Sequence, residues 1–381
     1  YDIDVQNDNG LVSYQFALIN VAALCSGAAY NGSWLAESNN INDTLSAEGS
    51  WKLCVIGRDA AGNEQLPASA TEHVWQLDST EPTINITSGS SDPTNDSVIS
   101  IAVAFSEDVT GFTVDDLTLT GGSASNFAGS DANYSFDLTP SSPGTLTVDI
   151  AAGVASDAAG NDNEVASQFS IVYDNAGPTG TAITINSSDS YTNSTSATLT
   201  LAATDATEMY ITNTAGCAAD GSWEAYATSK SWTLGQTNNT ATVYVKFRDG
   251  LGNESSCIND TIIHDNQSPV AVLGNTPASL TNNSGYDIDV QNDNGLVSYQ
   301  FALINGSASC ETATYNGSWL GESNNITGNV GSGGSWKICV IGRDAALNPQ
   351  LAANATEYTW DFDNTNPMVS GVDTTSVSGM Y

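Results

Sequence analysis

The twenty residues YDIDVQNDNGLVSYQFALIN occur twice, at 1–20 and again at 286–305. Self-similarity on this scale marks a tandem array, and whatever fold suits one copy has to suit the other. Each copy is followed by a cysteine (Cys25, Cys310), a Y-N-G-S-W run ending at Trp34 or Trp319, and S-W-K-L/I-C-V-I-G-R-D-A-A. Tyr1, Ile3 and Val5 alternate with Asp2 and Asp4, the period of a strand with one buried face. The duplicated unit therefore builds sheet, and the chain between the copies is expected to be more of its kind.

An aspartate followed four positions later by a proline recurs as Asp78/Pro82, Asp174/Pro178, Asp265/Pro269 and Asp363/Pro367. The interval, roughly 90 to 100 residues, is the size of a small β-sandwich. Proline fixes φ and holds its predecessor extended, so the junctions are expected to be short and fairly stiff. These marks divide the chain into domains 1–81, 82–177, 178–268 and 269–366. The expected fold is all-β, tandem β-sandwich domains arranged as an elongated rod. After their prolines the third and fourth domains open with strand-like leads, 179–194 and 270–285. The first, which begins at Tyr1, has no such lead, whereas 367–381 reads as an orphan first strand. The expectation is that 1–81 lacks its first strand and that 368–380 docks on residues 1–78 of a neighbour. Strand addition between subunits and covalent tandem repetition both fit.

A second mark precedes the last strand of each domain. It reads R-D-A-A-G-N at 58–63, S-D-A-A-G-N at 156–161 and R-D-G-L-G-N at 248–253. Aspartate bonds backbone N–H groups two residues on, and glycine takes the positive φ of a hairpin turn. The fourth copy has Leu347 where the glycine belongs, so that turn is expected to be rearranged, because a left-handed leucine is costly. Calcium binding is the other reading of these aspartates.

The strand before the turn places the cysteines. Trp51, Leu53 and Val55 share one face, and Lys52, Cys54 and Ile56 the other; the lysine marks an outer face. Six cysteines allow 15 pairings, and one pair per repeat is the economical solution: Cys25–Cys54, Cys310–Cys339 and, displaced beyond the turn, Cys217–Cys257. Zinc would need clustered Cys and His at short spacing, which is absent. Disulfides imply an oxidising, extracytoplasmic setting.

Seven basic against 43 acidic residues give a net charge of −36, the wrong sign for nucleic acid or an anionic membrane surface. No apolar run is long enough to span a bilayer, so no direct membrane insertion is expected of this segment. A hydrophobic share of 40% is too high for a disordered acidic tail, which makes the acidity the coat of a folded object.

The run from Phe105 through Asp115 and Asp116 to L-T-L-T-G-G, and the later L-T-V-D-I-A-A-G-V-A-S-D-A-A-G-N, resemble the bacterial Ig-like domains found in tandem arrays of secreted and surface proteins. The first and fourth domains, with Trp75 and Trp360 in their last strands, are similar to another branch of these repeats. The resemblance implies cell-surface stalks and adhesins, some rigidified by calcium at domain junctions. No cofactor is required. The best oxygen ligands for calcium are Asp78 with Glu81, Glu107 with Asp108, and Asp115 with Asp116, although solvated surface acidity explains the same residues without metal.

Catalytic signals are scarce. His73 and His264 stand in separate domains without a nucleophile motif, and no insertion provides the cleft a glycosidase would need. Trp34, Trp51, Trp319 and Trp336 recur at matched positions, which favours core or rim packing over a sugar platform. Asn31, Asn85, Asn133, Asn193, Asn238, Asn316 and Asn354 are among the Asn-X-Ser/Thr glycosylation acceptors. The expected function is non-enzymatic: a structural segment of an extracellular filament or surface stalk whose partners are copies of itself, head to tail. Two alternatives stand beside it. One is an adhesin segment that binds carbohydrate or cells through host or neighbouring-cell glycans, and the other a spacer of a secreted hydrolase.

Overall fold

Alternation in sequence becomes alternation in burial. Along Ile99–Phe105 the side chains of Ile99, Ile101, Val103 and Phe105 are buried, while Ser100 and Ala102 face solvent. Asn239–Arg248 repeats the pattern with Ala241, Val243, Val245 and Phe247. β-Branched and aromatic residues fill these inward positions because they pack well on a pleated, half-buried surface. The computed structural model describes residues 1–6, 10–45, 47–291 and 295–371. Among them are strands and short 3-10 turns but no α-helix. The chain forms two compact units, Tyr1–Asn175 and Ala176–Tyr381, and each holds tandem Ig-like β-sandwiches.

In the first unit, the first repeat has a sheet ordered Leu35–Ala36, Leu11–Asn20, Gly49–Asp59, Thr71–Leu77. Opposite it, Asp2–Ile3 pairs with Ile41–Asn42. Tyr14, Ile41 and Leu53 are the core between them, with Val55 and Trp75 packed against it. The second repeat sets the sheet Gly122–Ser130, Asn133–Pro140, Ile99–Phe105, Ile84–Ser88 against Phe169–Tyr173, Gly144–Ile150, Leu117–Thr120. It carries no disulfide. An aromatic cluster closes its core instead, with Phe112 edge-on to Phe105 at 5.2 Å and to Tyr134 at 5.0 Å. Such contacts add about 0.5–1.5 kcal/mol each beyond area burial.

In the second unit both repeats have the fuller arrangement. The third sets Thr179–Ile185, Ser196–Thr204, Ser229–Thr233 against a five-stranded sheet. The fourth sets Val272–Gly274, Gly285–Gln291, Ile326–Asn329 against Leu280–Thr281, Thr356–Phe362, Gly334–Asp344, Leu296–Asn305, Leu320–Gly321. Leu280–Thr281 lies parallel to Thr356–Phe362. Residues 363–371 form no strand. Most of the expected orphan strand, 372–381, falls outside the described residues.

The disulfides are Cys25–Cys54, Cys217–Cys257 and Cys310–Cys339, each closed within one repeat. Cys54 does lie on the sheet face away from the main core, yet it is fully buried. The turn at Cys25–Gly27 folds over that face, and Cys25, Cys54 and Ala17 form a small second core with Ile19, Tyr30 and Ala70. The fourth repeat does the same around Cys310 and Cys339. Lys52 snorkels from beneath this lid to Glu72 at 3.1 Å. In the chain-entropy model, loops of 29, 40 and 29 residues contribute about 3–4 kcal/mol each.

The fourth turn is not rearranged. Leu347 adopts φ +69°, matching Gly62 at +88°, Gly160 at +91° and Gly252 at +88°. Asp344 still accepts both N–H groups of Asn348, at 2.8 and 2.9 Å. These bonds hold the left-handed leucine against a cost of about 1–2 kcal/mol, and its side chain stays exposed. Leu347→Gly should therefore stabilise the fourth repeat by about 0.5–1 kcal/mol, the strain relieved less the entropy of glycine. Equilibrium urea unfolding of the chain checks this, and an unchanged or lower midpoint would contradict it.

Candidate metal centre

Three carboxylates from three elements converge in the first unit. Asp78 follows Thr71–Leu77, Glu107 follows Ile99–Phe105, and Asp157 opens the turn beyond Gly144–Ile150. One oxygen of each lies within 4.8 Å of the others. Oxygens that touch one Ca²⁺ at about 2.3–2.6 Å stand no more than about 5 Å apart. The three can therefore ligate a single hard divalent cation, with water completing its shell.

The site is built by hydrogen bonds that hold the junction. Asp157 is buried and accepts the backbone and side-chain N–H groups of Asn161, both at 2.8 Å. Asn161 then reaches back, donating from Nδ2 to the carbonyl of Asp78 at 3.1 Å. Asp78 caps the backbone N–H of Thr80 at 3.1 Å. Glu48 accepts the Ser79 and Thr80 hydroxyls at 2.6 and 2.9 Å, and these bonds, Ser79 first, lower its carboxyl below the usual range.

Glu107 behaves in the opposite way. Burial, and then the charges of Asp78, Asp157, Asp108 and Glu48, push its carboxyl above the usual range. No cation side chain relieves the cluster. Six of the seven basic residues pair with Glu72, Glu64, Glu224, Glu254, Glu208 and Glu357, and Arg343 stacks on Trp319.

Of the residues singled out in the sequence, the structure brings Asp78 and Glu107 together. Asp108, Asp115 and Glu81 are exposed apart from this group of three. Asp116 caps the turn Val114–Asp116, accepting the N–H and hydroxyl of Thr113 at 2.7 and 2.9 Å. Asp157 was legible only as a turn aspartate, and its distance in sequence from Asp78 hid the meeting. His73 stacks on Trp75 at 5.8 Å. His264 is buried and accepts the N–H of Asn238 through Nδ1 at 3.0 Å. Trp34, Trp223 and Trp319 are covered by Arg58, Arg248 and Arg343, at 4.5, 4.4 and 4.4 Å. Asn31, Asn85, Asn133, Asn193, Asn238, Asn316 and Asn354 are all exposed.

Residues 78–173 match the family model of the bacterial Ig-like domain. No curated protein matches the chain in sequence. Among solved structures, the chain is similar to the FN1–FN3 domains of chicken CNTN1, at 10% identity and a TM-score of 0.26, over 74% of this chain and 99% of that one. It is also similar to fibronectin(III)-like modules of Clostridium thermocellum CbhA, at 11% identity and a TM-score of 0.28, over 48% of this chain and 93% of that one. No helix among the described residues is long and apolar enough to cross a membrane.

A raised folded-state value for Glu107 means that the folded chain holds its proton more tightly than the unfolded one. The resulting stability is present at low pH and is lost as pH rises through the raised value. Glu107→Gln, neutral throughout, should thus melt higher than the parent at neutral pH in chelator, and the gap should close on acidification. Millimolar calcium should raise the parent's melting and leave Glu107→Gln unmoved. Calorimetry in both media checks this; calcium insensitivity of the parent would remove the metal from the account.

Proposed function

We propose that this chain is a non-catalytic mechanical spacer, a segment of an extracellular filament or surface stalk whose copies continue head to tail. The observation that carries this reading is a clamp at the junctions. Asn161 donates to the carbonyl of Asp78 at 3.1 Å, and Asn348 donates to that of Asp265 at 2.7 Å. In both places the last turn of one domain grips the exit strand of the domain before it. Calcium at Asp78, Glu107 and Asp157 would brace the first of these grips further, binding where charge repulsion is strongest.

The disulfides support an extracellular compartment, because they persist in oxidising surroundings. A surface location also suits the exposed sequons and the net charge of −36, which keeps a long array soluble and its copies apart. An adhesin that reads sugars through tryptophan faces is less well supported, because arginines already cover Trp34, Trp223 and Trp319.

Force spectroscopy tests the mechanical role. Extended chain spans about 3.3–3.6 Å per residue, so separations of 29 and 40 residues hide about 100 and 140 Å. Pulling should give discrete steps. Reduction should lengthen two of them by about 100 Å and one by about 140 Å, leaving the domain without cysteine unchanged. Extension without discrete steps would overturn the reading.

A further inference from the structure

One cross-strand pair sets the third repeat apart from the others. The strand that leads toward each Asp-Asn turn opens with a glycine in the first, second and fourth repeats. These are Gly49, Gly144 and Gly334, at φ +122°, +138° and +139°. Opposite them stand Leu77, Tyr173 and Phe362, each the residue before a junction aspartate. The third repeat has Asn239 and His264 at the matching pair. His264 is 1% exposed, so an imidazole is buried where the other repeats place an apolar or phenolic side chain.

The backbone before the pair changes with it. Asparagine stands where the glycine would, and the left-handed residue moves one place back to Asn238, at φ +52°. The N–H of Asn238 donates to His264 Nδ1 at 3.0 Å. Its side chain turns to the joint, where Oδ1 accepts the N–H of Asn266 at 2.9 Å. Between His264 and Asn266 lies Asp265. Its N–H donates to the carbonyl of Thr192 at 2.9 Å, and its own carbonyl accepts Asn348 of the fourth repeat at 2.7 Å. The imidazole is thus wired to the segment that the fourth repeat grips.

We infer that His264 makes the joint between the third and fourth repeats acid-sensitive: a proton at Nδ1 releases Asn238 and, through it, the segment that Asn348 holds. An imidazolium has no acceptor, so the N–H of Asn238 would face a second donor. A charge buried this deeply also has no water to hydrate it. Imidazole is the side chain that ordinarily changes charge between about pH 5 and 8. Unfolding lets the ring take up the proton that the folded bond refuses, so this end of the repeat loses stability as pH falls.

The charged and titratable groups on the surrounding elements hold other partners. On the same strand, Asp260 accepts the N–H groups of Ile185 and Thr261, both at 2.8 Å. On the neighbouring strand, Tyr191 pairs with Ile263, one residue out of step with the imidazole. On the facing sheet, Lys230 is bound by Glu224. At the joint, Asp265 accepts the N–H of Gln267 at 2.9 Å, and Asp344 holds Asn348. Among the described residues no carboxylate pairs with the imidazole, so the folded joint offers the imidazolium no paired counter-charge.

Hydrogen exchange on the full chain, read by NMR and corrected for the intrinsic rate at each pH, tests this. The amides of Asn238 and Asn266 should be protected at about pH 7.5 and lose about tenfold of that protection at about pH 5. The amide of Asp363, which donates to the carbonyl of Thr281 at 2.9 Å in the fourth repeat, should keep its own. His264→Phe copies Phe362 and should remove the difference between the two pH values. Should it fold poorly, Asn239→Gly with His264→Phe rebuilds the whole pair of the fourth repeat. Equal protection of the parent at both pH values overturns the proposal. So does an equal loss in a folded variant, which would assign the effect to carboxylates. The parent alone also decides: a His264 ring signal that titrates while the Asn238 amide stays protected overturns the proposal. The acid-sensitive joint adds a condition to the spacer reading without resting on it, because exchange at two amides and steps under force can each fail alone.

Discussion

An aspartate that accepts two N–H groups from an asparagine four residues on is the interaction on which each repeat depends. Asp59 holds Asn63 at 2.8 and 2.8 Å, Asp157 holds Asn161 at 2.8 and 2.8 Å, and Asp249 holds Asn253 at 2.9 and 2.9 Å. Hydrogen bonds to a carboxylate are stronger than neutral ones, and a bidentate set fixes direction as well as distance. The turn returns the chain in one register, seen in the bridges Arg58–Glu64, Ser156–Asp162, Arg248–Glu254 and Arg343–Pro349. In the first, third and fourth repeats it also aims the arginine just before the aspartate over a tryptophan, Trp34, Trp223 or Trp319. In the second and fourth repeats the asparagine's reach to the preceding aspartate carbonyl turns a local motif into a joint. Asparagine can do both because its amide carries two donors.

The disulfide-bearing face follows a different logic. A lysine in a strand marks the face where its charge can reach water, and Lys52 does reach it. The residue two along, Cys54, is nevertheless fully buried, because the segment after Asn20 folds back over the sheet and is held there by the Cys25 bond. The outer face of a small sandwich thus carries a second, miniature core. The second repeat has no such lid and relies on Phe105, Phe112 and Tyr134, an aromatic cluster that does for it what a covalent link does for the other three.

Much of this was legible in the sequence, for identifiable reasons. Strand alternation and the Asp-Asn turns are local patterns, and each emerged where the spacing put it. Pairing of Cys217 with Cys257 was legible because only one cysteine pair remained in that repeat. Leu347 misled. Propensity argued for a rearranged turn, but two hydrogen bonds that Asp344 accepts from Asn348 hold the turn around Leu347. The carboxylate cluster was half legible. Asp78 sits at a proline-marked junction and Glu107 in an acidic pair with Asp108, so both advertise themselves, whereas Asp157 arrives from a turn dozens of residues away. Asp116 went the other way, an acidic residue beside an acidic residue whose oxygens are committed to Thr113.

The charge balance limits what kind of contact copies of this chain can make. With 43 acidic residues against seven basic ones, and those seven already occupied, no electropositive patch is left to steer one copy onto another. Association through side-chain ion pairs is closed off, and long-range repulsion opposes every approach until salt screens it beyond about 10 Å. What remains is main-chain pairing with apolar infill, which involves no charge. An uncharged apolar surface is therefore what any contact between copies would have to use, because apposed acidic faces bring carboxylates together without cations between them.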